Sequence, residues 1–149
     1  MNGFLVALLI ALCGGLAVGF QGVLNSLAGR SLGAPLTGLL VNIAGGTLSL
    51  LLLAIFAKSL PLQAVDARAA ATATLAGGIG VFVVFSIAFA LPRVGVAAGI
   101  AAVILGQLTL SVLADALGWS GSVIPVDLRR VLGLALLAGG LVFLLPPQS

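Results

Sequence analysis

The chain has 149 residues, of which 62% are hydrophobic and only 6% charged, and its mean hydropathy is +1.39. A water-soluble domain carries roughly 25% charged residues, so this composition excludes one and demands an integral membrane protein. His, Tyr and Glu are absent and Cys13 is the single cysteine. Zinc, haem and Cys-His chemistry are excluded on ligand count, no metal site or cofactor is expected, and no disulfide can form within one chain.

The net charge of +3 rests on nine ionisable side chains, and no basic cluster exceeds Arg129-Arg130. That pattern anchors loops at headgroups rather than building a nucleic-acid surface. Five charge-free runs, 1–29, 31–57, 69–92, 94–114 and 131–149, are each near or above spanning length. They predict an all-α bundle of five transmembrane helices, at about 3–29, 34–58, 69–91, 94–117 and 128–145, forming one transmembrane domain.

The first apolar stretch, Phe4 to Leu27, is too long for a signal-peptide core, and no Lys or Arg precedes it. It therefore reads as a span. Gln21 and Asn25 lie one turn apart near its far end, and carboxamides in hydrocarbon need partners for donor and acceptor alike. The second helix opens at Gly33-Ala34-Pro35, where proline suits the first turn, and closes near Lys58 with Pro61 beyond.

Pro61 to Ala69 is polar enough for the interface, and Asp66 can cap the third helix. That helix is expected to stop at Leu91-Pro92-Arg93, because proline disfavours helical geometry at the residue before it. The fourth begins almost at once, which predicts a tight antiparallel hairpin. The longest connection, Asp115 to Asp127, holds Gly118, Trp119, Gly121 and Pro125. Trp119 suits the interface, and Asp127 is the expected cap of the fifth helix. The chain closes on Pro146-Pro147-Gln148-Ser149.

Glycine numbers 21 and lies largely within the spans. Gly15 with Gly19, and Gly95 with Gly99, have the spacing that lets helix backbones approach closely in lipid. Among polar residues, depth along the helices places Gln21 and Asn42 within reach of each other. Gln107 is the most central amide, followed on its own face by Ser111 and Asp115. Asp115 sits near the membrane surface, where it can pair with Arg129 or Arg130 or act as a coupling group or gate. Thr47, Thr72, Thr74 and Ser86 read as hydroxyls bonded to their own helices.

Lys58, Arg68, Arg129 and Arg130 fall on the side of the amino terminus, and Arg30 and Arg93 on the other. Four against two favours a cytoplasmic amino terminus by a thin margin, which permits dual topology. Five spans paired with an inverted copy would make a ten-helix assembly of inverted-repeat type, with a site near the midplane.

Several motifs point one way together: Gln21-Gly22-Val23-Leu24-Asn25-Ser26-Leu27 with Gly33-Ala34-Pro35, Pro92-Arg93-Val94-Gly95, Gly106-Gln107, Asp115 with Gly118, and Arg129-Arg130 with Gly133. Across nearly its whole length the chain resembles the YdcZ-type small inner-membrane proteins of the drug/metabolite transporter superfamily (EamA-like). The resemblance implies a bacterial inner-membrane exporter that is one half of a ten-helix architecture. Two departures stand out: Asn42 occupies a position expected to be apolar or small, and the membrane-embedded glutamate of small multidrug-resistance proteins is missing, so their proton-for-cation exchange does not carry over.

The expectation is a transporter of a small metabolite or drug-like molecule, working by alternating access as an inverted homodimer or with a related five-helix chain. Gln21, Asn25, Asn42, Gln107 and Ser111 would line the path, with Asp115 as coupling group or gate. The alternative is a non-transporting subunit that packs into a larger membrane complex. No nucleophile and base pair can be assembled, so an enzyme is not expected.

Overall fold

Helices are what this sequence must form, because hydrocarbon offers no partner to an open backbone N–H or C=O. The computed structural model describes residues 3–61, 65–119, 121 and 123–146. Residues 62–64 of the interfacial stretch and the closing residues 147–149 lie outside them. Among the described residues the regular elements are all helical: α1 (Gly3–Leu32), α2 (Ala34–Phe56) followed by a 3-10 turn (Ala57–Ser59), α3 (Ala67–Val94), α4 (Val96–Ala116) and α5 (Leu128–Leu144). This is an all-α membrane protein. The first four helices are long and apolar enough to cross a bilayer. With 17 residues, α5 sits at the short end of the spanning range.

The chain forms two compact units, Met1–Pro92 and Arg93–Ser149. In the first unit α1 packs along α2. A single residue, Gly33, joins them, at φ 77° and ψ 155°. That backbone region is open to glycine alone at low cost. The joint closes its own hydrogen bonds: Gly33 N–H donates to the Gly29 carbonyl at 3.1 Å, and the Gly33 carbonyl accepts from Thr37 N–H at 3.1 Å and Thr37 Oγ1 at 2.9 Å. Pro35 falls in the first turn of α2, where its missing N–H is no loss.

The buried positions of the first unit follow helical spacing. Gly22, Asn25 and Ser26 are buried on α1, Ala34, Thr37 and Gly38 on α2, and Val84, Ile87, Ala88 and Leu91 on α3. Small residues dominate the α1 and α2 stripes, so backbones rather than bulky side chains meet there. A Cβ on Gly38 would lie 3.4 Å from Phe85, and one on Gly29 would fall 2.6 Å from the carbonyl oxygen of Ala88.

The helix α3 runs on through Pro92 to Val94 instead of stopping at Leu91. Proline so near the end removes only one helical donor, the one that would have served the Ala88 carbonyl four residues back. Gly29 presents no side chain to that same oxygen, so the α1 backbone can lie against it.

In the second unit α4 packs along α5. Gly95, at φ 86° and ψ 152°, precedes α4 and accepts from Gly99 N–H at 3.0 Å, repeating the geometry of Gly33. Asp66 Oδ1 accepts from Ala69 N–H at 2.7 Å, and Asp127 Oδ1 from Arg130 N–H at 2.9 Å, so both aspartates cap the helices they precede.

Replacing Gly29 should separate packing from propensity. Gly29→Ala is expected to destabilise the fold by about 1–3 kcal/mol through overpacking against backbone. Gly133→Ala, where a Cβ meets nothing within 4 Å, should leave stability level or slightly higher. Thermal unfolding of both variants in one detergent checks this, and equal midpoints would overturn the assignment.

Candidate functional site

The polar side chains inside the spans fall into two groups, those already bonded to their own helix and those that are not. Thr47, Thr72, Thr74 and Ser86 each donate to the carbonyl four residues back, at 2.8–2.9 Å. Thr109 and Ser49 do the same. Such hydroxyls are spent on the backbone and offer little to a passing solute.

The first unit holds three of the amides. Gln21 is exposed, whereas Asn25, one turn on, is only 2% exposed and Ser26 beside it 3%. The Nδ2 of Asn25 has no hydrogen-bond partner among the described residues. Asn42, half-buried on α2, donates from Nδ2 to the Gly38 carbonyl at 2.7 Å. One of its two N–H donors is thus used within α2, and its Oδ1 lies beside Gly80, where a Cβ would sit 3.8 Å away.

Among the described residues several open hollows lie in this unit, and two bear on the helices that carry the amides. One, of about 420 Å³, is lined by Pro35, Gly38, Leu39, Val81, Phe82 and Phe85 among others, and one of about 830 Å³ by Gly46, Ser49, Leu50, Leu53, Ala73 and Thr74. Both are apolar, and neither is lined by an amide. Their walls suit lipid chains or another helix better than a hydrophilic solute.

In the second unit, Gln107 and Ser111 are both exposed, and Ser111 Oγ donates to the Gln107 carbonyl at 2.8 Å. Asp115 pairs with Arg130, Oδ2 to Nη1 at 3.0 Å, with both side chains about a third exposed. The backbone of Asp115 also anchors the connection to α5, since its carbonyl accepts from Gly118 N–H at 3.2 Å and Ile124 N–H at 3.0 Å. Asp115 thus ties the end of α4 to the start of α5 by side chain and main chain together. Trp119 is 70% exposed in that connection, as an interfacial indole should be.

Of the glycines singled out by spacing, Gly15 and Gly19 have open space around them, Gly95 forms the joint before α4, and Gly99 is buried. The glycines that meet a neighbouring helix, Gly29 and Gly38, are not among them. Their signal was present: Gly22-x-x-x-Ser26 and Asn25-x-x-x-Gly29 share one face of α1, a small-residue stripe in which one member is polar.

The chain matches a protein-family profile over residues 6–143, that of DMT_YdcZ, described as "Putative inner membrane exporter, YdcZ". Searches among curated proteins and among solved structures gave no match.

A double-mutant cycle measures the clasp between α4 and α5. Asp115→Asn and Arg130→Gln should each lower stability by about 1 kcal/mol, with a coupling of about 0.2–1 kcal/mol. Strictly additive losses in unfolding experiments would show that the two side chains do not act on each other.

Proposed function

This chain belongs to the YdcZ family of inner-membrane exporters, and from that premise we propose that it moves a small metabolite or drug-like molecule across the membrane as one half of an inverted pair. The partner is a second copy or a related five-helix chain, so that ten helices of the drug/metabolite transporter type surround the path.

One observation carries the pairing. The most apolar windows of α1 and α2 contain no buried residue, 0% in each. Helices so bare within a single chain are covered by lipid or by another protein, and open glycines at Gly14, Gly15, Gly45 and Gly46 favour close backbone approach. Inverted pairs of this kind place the substrate near the midplane and alternate access by rocking one unit against the other.

Asn25 is the buried path residue of the first unit, with Gln21 and Asn42 beside it on the path, and Gln107 and Ser111 are the path residues that the second unit contributes to the pair. Asp115 acts with Arg130 as the tie that keeps α4 and α5 together while the units rock. No covalent chemistry is involved. The amino terminus lies in the cytoplasm in the more populated orientation, by the count of Lys and Arg.

Cysteines placed at Arg30 and at Lys58, in a Cys13→Ala background, test the inverted pair. In intact cells an impermeant maleimide should label both positions, because each faces outward in one of the two orientations. Labelling at one position alone leaves pairing only with an oppositely inserted sister chain. Single-molecule counting that finds solitary chains in bilayers would falsify pairing altogether.

A further inference from the structure

We infer that the substrate is an electrically neutral molecule rich in hydrogen-bond acceptors, that the Asn25 amide is its buried donor, and that its passage moves no proton. This rests on the exporter function proposed above and specifies the chemistry of what is exported.

The first observation is the idle donor. The other buried polar groups of the first unit are small hydroxyls, and Thr37 is bonded to the Gly33 carbonyl at 2.9 Å. Asn42 has also found a carbonyl within its own helix. Asn25 Nδ2, by contrast, is enclosed and unpartnered among the described residues. A buried donor left open costs about 1–3 kcal/mol, so a position that keeps one is a position something else completes. A donor-only N–H₂ calls for an acceptor: a carbonyl, ether or hydroxyl oxygen.

The second observation is where the charges are. Across 1–29, 31–57, 69–92, 94–114 and 131–149 there is no Lys, Arg, Asp, Glu or His. All three carboxylates sit at helix termini and are in use there: Asp66 caps α3, Asp127 caps α5, and Asp115 holds Arg130. Protonating any of them would loosen a helix end rather than relay a proton through a span. An ion crossing such a path would meet no countercharge from this chain, and shedding its hydration there costs several kcal/mol. A neutral solute exchanges water hydrogen bonds for amide ones and avoids that cost.

The test uses the full-length protein in liposomes loaded with a pH-sensitive dye, with tracer flux measured for three charge classes. Uridine, mannitol and N-acetylglycinamide represent neutral acceptors; choline and tetraphenylphosphonium represent cations; glutamate and benzoate represent anions. Protein-dependent flux should appear among the neutral probes, with no change in dye signal and no response to an imposed pH gradient. Asn25→Leu, of similar volume, should cut that flux about tenfold, the loss of one hydrogen bond of about 1.4 kcal/mol. It should also unfold at the same or a higher temperature, since an idle donor has been removed.

Flux of cations or anions, proton movement accompanying neutral flux, or unchanged neutral flux in Asn25→Leu overturns the inference and leaves the exporter function standing. An Asn25→Leu protein that unfolds at lower temperature assigns Asn25 a structural role and overturns it too. Absence of protein-dependent flux in every class takes down the exporter function, and the inference with it.

Discussion

In hydrocarbon every backbone donor and acceptor must be closed within the protein, and the plan of this chain follows from how it meets that demand where helices begin and end. Inside the spans the helices satisfy themselves. At the breaks each device is local. Gly33 and Gly95 take the same left-handed backbone shape and pass the chain from one helix to the next with a single residue. Asp66 and Asp127 supply carboxylate oxygens to open N–H groups, and the carbonyl of Asp115 serves two donors of the following connection. A chain with nine ionisable residues thus uses each of its acids to finish a helix end.

A close approach in the first unit involves the same proline. Pro92 withholds a hydrogen bond from the Ala88 carbonyl, and Gly29 of α1 lies against that oxygen, where a Cβ would fall 2.6 Å from it. Two residue types usually read as helix breakers therefore cooperate across two helices. One exposes an acceptor, and the other lets a neighbouring backbone lie over it. Leu91, fully buried beside the proline, and Ala88, 1% exposed, complete the seat.

Much of the fold was legible from hydropathy and charge alone, because twenty or so apolar residues between polar stops have only one way to satisfy their backbone in a membrane. The caps at Asp66 and Asp127, the pairing of Asp115 with Arg130 and the back-bonded hydroxyls were readable for a related reason: each is a local interaction, decided within one turn or one connection. What escaped was what depends on rotation about the helix axis. Gln21 and Asn25 look equivalent at a spacing of four, yet one is exposed and the other enclosed. Asn42 looked free for Gln21, but its amide bonds a carbonyl of its own helix. The persistence of α3 past Pro92 was likewise illegible, since a proline two residues from a helix end costs only one donor and need not stop the helix.

The single-residue joints carry a consequence for how anything outside the bilayer could reach this protein. Where α1 gives way to α2, and where α3 gives way to α4, a single residue makes the connection. Between the first helix and the last, the two longer connections, 57–66 and 117–127, are the lengths of chain with most to offer a soluble regulator, a protease or an antibody. Control from the aqueous phase has its largest handles there and at the chain ends. Any influence elsewhere has to come sideways, from the lipid or from a neighbouring helix.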